Sequence, residues 1–277
     1  MKRALAASSF SRWDSILFHM RQTAFGLREE WRSISDILAS LLLMPVFVFI
    51  FANLWQQFLP AFGNFSFKDR LVYVALTETL VMTLMSYRLT DEARQQFSLS
   101  FARPRSWSMS VLSLSWGRTL GKRFVILTTA LICAVVLIDR TGDVAGAYSR
   151  LRIFGRFALL VPIVTAIDSL IILNLTNIMI MWDQSRYFRL PILKLFLFLG
   201  GVATPLCFAA EPWRTWLTRL PFSDLVFQPA WFAMHGEFWQ LSRSEWLAHI
   251  AAQGGILVIF SYVLGRLARH YHQSTGG

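Results

Sequence analysis

Three carboxylates fall in or beside long apolar runs: Asp36, Glu78 in YVALTETLVMT and Asp168 in IVTAIDSLIIL. A charged acid in hydrocarbon costs about 2.5–3.5 kcal/mol on insertion scales, so each implies a partner or a task. Asp36 lies near the end of its run, where water reaches it. Glu78 and Asp168 lie in mid-run. They could pair with an arginine inside a helical bundle, carry a proton, or line a translocation path. These two are the translocation-path candidates.

Other chemistry is poorly represented. GRTLGKR at Gly117–Arg123 resembles a phosphate-binding loop, but it is one residue short of G-x-x-x-x-G-K-[ST]. It ends in Arg123, which leaves no hydroxyl for magnesium. Two glycines in a basic helix is the plainer reading. The five histidines form no H-E-x-x-H, and His270 and His272 are two apart, a spacing that suits one strand face. Cys133 and Cys207 lack a C-x-x-C partner and read as packing thiols. No G-x-S-x-G marks a nucleophile elbow. No catalytic residue and no metal site are expected, and the chain is not expected to be an enzyme.

The elements that must hold these residues are long and apolar. Of 277 residues, 55% are hydrophobic and 16% charged, yet the net charge is +11; mean hydropathy is +0.47. A nucleic-acid binder would carry its base on a solvated face and be less apolar, so no nucleic-acid partner is expected. A disordered chain would bury less, and two cysteines exclude a disulfide scaffold. An all-α integral membrane protein remains.

A spanning helix needs about 20 mainly apolar residues. The sequence predicts six spans: about Ile34–Trp55, Leu71–Leu89, Leu120–Ile138, Phe157–Met181, Leu190–Ala210 and Leu247–Leu267. The first is too long for a cleaved signal peptide and has no small-residue cleavage site after it. A shorter run, Leu220–Met234, is broken by Pro221 and Pro229 and reads as interfacial or re-entrant. The larger share of the 27 Lys and Arg falls in the N-terminal segment, the second and fourth connections and the tail. The positive-inside rule then makes both termini cytoplasmic. Arg150, Arg152 and Arg156 run against the rule, and snorkelling to the headgroups accounts for them.

Residues 1–33 form a cytoplasmic lead-in. Trp13, Ile16, Leu17, Met20, Phe25 and Leu27 are spaced as an amphipathic helix lying on the membrane face. Residues 34–267 form the transmembrane domain and 268–277 a cytoplasmic tail. Residues 90–121 make the longest cytoplasmic connection. Residues 211–246 carry five tryptophans, which favour the headgroup level.

The order of these pieces resembles the permease subunit of ABC-2-type exporters, in the six-span bacterial group whose paired permease genes lie beside an ATPase gene. The resemblance covers nearly the whole chain. RQQFSLSFARPRSWSMSVLSLSWGRTLGK, with Arg103-Pro104 and the glycines Gly117 and Gly121, is similar to that group's loop after the second span. IMIMWDQSRYFRL is similar to its aromatic-polar junction around Trp182 and Asp183. GGVATPLCFAAEPWRTWLTRLPFSDLVFQPAWFAMHG has its order of small residues, Pro205, Pro212-Trp213, Leu220-Pro221-Phe222, Pro229-Ala230 and Gly236. GRLARHYHQSTGG matches its basic-aromatic ending. GEFWQLSRSEW departs from the pattern, being more polar and aromatic.

The resemblance implies an ABC-2 (type V) exporter permease fold in the bacterial inner membrane. It implies a dimer with a second permease chain, identical or related, set among membrane lipids. It implies a cytoplasmic ABC ATPase dimer that holds the ATP and Mg, with no cofactor on this chain. ATPase coupling would fall to Arg94, Phe97, Leu99, Phe101, Arg103 and Pro104. The exit-side segment would contain Pro205, Pro212, Trp213, Pro221, Phe222 and Pro229. Few polar groups in the spans favour a hydrophobic or amphipathic cargo: lipid, peptide, drug-like molecule or glycan. Two other classes stay open: a proton-coupled secondary transporter using Glu78 or Asp168, and a polytopic lipid-modifying enzyme.

Overall fold

The computed structural model describes residues 12–32, 67–81, 107–138, 144–182, 189–202 and 205–274, with isolated positions between 39 and 54. The helices among these residues are α1 (Arg12–Arg32), α2 (Phe67–Val81), α3 (Trp107–Ile138), α4 (Val144–Met181) and α5 (Arg189–Leu199). After a short turn at Leu206–Phe208 come α6 (Trp213–Thr218), α7 (Pro221–Leu225), α8 (Phe227–His235) and α9 (Arg243–Ser274). The described residues contain no strand, so the fold is all-helical. Asp36, most of the first predicted span and the coupling residues Arg94, Phe97, Leu99, Phe101, Arg103 and Pro104 lie outside the described residues.

Among the described residues, two helices are long and apolar enough to cross a membrane: Ser149–Met181, 33 residues, and Arg243–Tyr271, 29 residues. At 1.5 Å rise per residue each exceeds the roughly 30 Å of a hydrocarbon core. Several boundaries differ from the sequence reading. α3 begins at Trp107, so the end of the 90–121 connection is already helix. α4 begins at Val144 and takes in Arg150, Arg152 and Arg156; Arg150 is buried, and Arg156 lies against Gly236. The fifth predicted span is cut short. α5 stops at Leu199 because Gly200 is packed against Val226 and Gly201 takes a φ of +81°, a left-handed turn that favours glycine.

α4 and α9 run parallel. Gly254 packs on Ile167, the Asn174 amide donates to the Leu257 carbonyl at 3.0 Å, and the Asn177 amide donates to the Ser261 carbonyl at 3.4 Å. The contacts ascend both helices together, so residues 182–242 must carry the chain back along the bundle. Close approach is possible because α9 offers glycine at 254 and 265 on this face.

α1 lies across the first half of α3. Gly26 faces the Leu114 carbonyl, where a Cβ would come within 2.9 Å, and a Cβ at Gly117 would run into the Thr23 backbone. Thr23 Oγ1 donates to the Ser113 carbonyl at 3.2 Å, and Ser113 Oγ donates to Gln22 Oε1 at 2.9 Å. The polar and small face of α1 therefore meets α3. Ile16, Leu17, Met20 and Phe25 are left exposed.

Candidate functional site

Burying a guanidinium is tolerated when its donors are used and an opposite charge is at hand. α3 carries Arg123 to the centre of the bundle, where it is 0% exposed. Nη2 donates to Asp168 Oδ2 of α4 at 2.9 Å and to the Leu80 carbonyl of α2 at 3.3 Å. Nη1 donates to Thr165 Oγ1 of α4 at 2.7 Å, and that hydroxyl donates in turn to the Val161 carbonyl. One side chain thus ties three helices. Glu78, two residues before Leu80, is also buried. Asp168 Oδ1 has no hydrogen-bond partner.

Five threonines of these helices satisfy themselves locally. Thr77, Thr79, Thr129, Thr165 and Thr176 each donate to the carbonyl four residues back. This habit keeps hydroxyls paired where water is absent. Asp168 is thus an ion-pair partner, held at one oxygen by arginine. The arrangement can fix helix positions and can reorganise if α3 moves. It provides no nucleophile with a base beside it.

Counting basic residues by connection places Arg118, Lys122 and Arg123 with the second, cytoplasmic one. Arg118 and Arg123 are both buried residues of α3: Arg118 packs beside Gly26 of α1, and Arg123 turns to Asp168 of α4. A span begun at Leu120 already contained Arg123. Its long side chain spans the gap to a neighbouring helix, which makes it a natural partner for a mid-span acid. Gly117 and Gly121 sit in helix interior, so no loop is available there to cradle a phosphate. His270 likewise belongs to α9.

Residues 205–242, which include most of the tryptophan-rich segment, form a packed unit. Pro205 precedes the short turn, Pro212 precedes α6 and Pro221 opens α7, where its missing N–H costs nothing. Phe222 meets Phe196 edge-on at 4.8 Å, and Pro229 is buried in α8. Trp213 and Trp216 are exposed on α6. α8 is largely buried against α4 and α2, and Tyr73 of α2 donates to the Gly201 carbonyl at 2.8 Å. Gly236 ends α8 with φ +85° and donates to the Phe232 carbonyl at 2.7 Å.

Two side-chain clamps hold this unit, and both were missed in the sequence. Gln228, fully buried, donates to the Trp239 carbonyl at 3.1 Å and accepts the Trp239 N–H at 2.8 Å. Asp224 of α7, 1% exposed, accepts from Gln253 Nε2 of α9 at 2.8 Å and lies 3.4 Å from His249 Nδ1. Burial pushes the Asp224 carboxyl up to about 6, against the opposing pull of His249 and Gln253. The departing stretch GEFWQLSRSEW starts α9. Ser242 N–H donates to Glu245 Oε2 at 2.6 Å and Glu245 N–H to Ser242 Oγ at 3.2 Å, the reciprocal S-x-x-E cap. That spacing was legible.

Among the described residues, no three His, Cys, Asp or Glu side chains converge as metal ligands do. Comparison with protein-family models, curated proteins and solved structures finds no match to this chain.

Proposed function

We propose that the chain is the transmembrane permease subunit of an ATP-driven ABC-2-type exporter. In this reading it is multi-pass in a bacterial inner membrane with both termini cytoplasmic. A separate ATPase dimer drives it, and a second permease chain, identical or related, completes the path. The cargo is hydrophobic or amphipathic. The observation that carries the reading is the rod-like continuity of α3. Its first residue, Trp107, follows the coupling segment Arg94–Arg105 almost directly. Sixteen residues on, the same helix holds Arg123 and through it α2 and α4. A push on the coupling segment would reach the core as rigid-body displacement.

α1 supports the same reading. It braces the cytoplasmic part of α3 and turns Ile16, Leu17, Met20 and Phe25 outward, as a helix half-sunk in a membrane surface would. The exposed Trp213 and Trp216 suit the opposite headgroup level.

The test is transport in vesicles holding this chain, its permease partner and the ATPase. ATP-dependent cargo movement lost in Arg103→Glu and Phe101→Ala supports the reading. Movement driven by a pH gradient with no ATPase would replace it with the secondary transporter. Turnover of a lipid by the purified chain alone would replace it with the enzyme.

A further inference from the structure

Toward its C-terminal end α9 borders an open surface pocket of about 580 Å³, lined by Tyr262, Arg266, Leu267, Arg269 and His270. We infer that this pocket binds the phosphate headgroup of an acidic phospholipid, with the acyl chains lying on the exposed apolar face of α9. The inference rests on the membrane reading of the chain, though not on its being an exporter.

Three observations converge. The first is charge. Arg266 and Arg269 line the pocket, and α9 contains no carboxylate after Glu245. Arg266 lies over the Tyr262 ring at 4.6 Å, and Arg269 Nε donates to the Gly265 carbonyl at 3.1 Å. These contacts fix the two stems and leave further guanidinium N–H groups for an anion. Arginine's planar fork suits phosphate oxygens.

The second is level. Trp246 is buried beside the cap that starts α9, among the aromatic rings of the outer segment. Arg266 comes 20 residues later on the same helix. At 1.5 Å per residue the separation is about 30 Å, one hydrocarbon thickness. With the outer segment at one headgroup level, as its exposed Trp213 and Trp216 indicate, the pocket lies at the other, on the cytoplasmic side where acidic lipids attract base.

The third is continuity. Ile256, Ile259, Phe260 and Val263 are exposed along α9 and lead to the pocket. An inorganic anion would use only the arginines. A phospholipid uses both features, with acyl chains along the aliphatic ridge and phosphate at its polar end. Tyr262 and His270 also line the pocket, and a phenol and an imidazole can both donate hydrogen bonds to glycerol and headgroup oxygens.

The experiment uses the delipidated full chain in mild detergent, titrated with phosphatidylglycerol or phosphatidylcholine and read by native mass spectrometry. Entry of the chain into liposomes, resistant to alkaline extraction, is measured first. Failure there removes the membrane reading itself. Given insertion, phosphatidylglycerol should be retained roughly tenfold better than phosphatidylcholine, and Arg266→Gln with Arg269→Gln should abolish the preference. Arg266→Lys with Arg269→Lys should keep part of it. Unchanged thermal unfolding of each variant shows that the fold survives, and if the Gln pair unfolds, the Lys pair alone carries the comparison. Excess inorganic phosphate should not displace the lipid. Equal retention of the two lipids overturns the inference, as does a preference unaffected by the Gln pair or full displacement by inorganic phosphate. Once insertion is shown, none of the lipid-binding outcomes bears on ATPase-driven transport, so the exporter reading then stands or falls separately.

Discussion

The guanidinium of Arg123 and the carboxylate of Asp168 meet at 2.9 Å with neither side chain open to solvent. They come from neighbouring antiparallel helices 45 residues apart in the chain. Such a pair is not strong evidence of stability in itself, because both ions are desolvated. Removing one partner is the costly event, because the other is then buried alone.

Asp168→Ala should therefore destabilise the protein by about 3–5 kcal/mol, and Arg123→Met with Asp168→Leu should recover most of that loss. Thermal unfolding in detergent of the two single variants and the double variant checks it. A double variant as unstable as the singles would show that the pair does more than satisfy itself, and would return Asp168 to the list of path residues.

Gly117→Leu should dislodge α1 from α3, since even a Cβ there meets the Thr23 backbone. Overpacking of this kind costs about 1–3 kcal/mol. The loss should be local, so limited proteolysis should cleave within Arg12–Arg32 faster while cleavage within α4 and α9 stays unchanged. Uniform loosening of the whole chain would mean that α1 is part of the main core.

The α4–α9 seam depends on amide glue. Asn174→Leu and Asn177→Leu should each lower stability by about 0.6–2 kcal/mol, the span found for interhelical hydrogen bonds in apolar surroundings. Asn174 should cost more, because its bond to Leu257 is 3.0 Å against 3.4 Å for Asn177 to Ser261. Chemical denaturation of each variant in the same detergent ranks them, and the reverse order would contradict the register.

Asp224 makes stability pH-dependent. Its carboxyl is raised by burial from 3.8 to about 6 in the folded protein. The folded form therefore holds the proton more tightly than the unfolded form. Its contribution is complete below about 3.8 and is lost as pH rises through about 6. Melting temperature should fall across that window as pH increases. Asp224→Asn should remove the slope. His249→Gln, which takes away the opposing charge, should move the midpoint upward. A wild-type melting curve with the same midpoint on both sides of pH 6 would contradict this.

How much of this the sequence contained varies with the range of the interaction. The all-helical class and the two most apolar long helices, at Ser149–Met181 and Arg243–Tyr271, follow from composition and hydrophobic run length, which are local. The cap at Ser242 and Glu245 was equally local, but it was masked by aromatic neighbours in GEFWQLSRSEW. The early stop of α5 was not legible, because Gly200–Gly201 reads as two small residues in an apolar run. Only the approach of Val226 and Phe227 makes it a corner. Arg123 illustrates the largest miss. A cation near a predicted boundary is placed in water by any rule based on windows, and its partner lies 45 residues away. The clamps at Gln228 and Asp224 depend likewise on residues brought near only by folding.

The most direct test of the central claim is ATP hydrolysis tied to this chain. The full chain would be purified from membranes of its own host in mild detergent, and vanadate-sensitive ATPase activity measured in the eluate. The account predicts activity that co-elutes with the chain and is lost with Arg103→Glu, while the fold, judged by thermal unfolding, is unchanged. A folded chain that brings no ATPase activity, or brings it undiminished with Arg103→Glu and Phe101→Ala combined, would contradict the account.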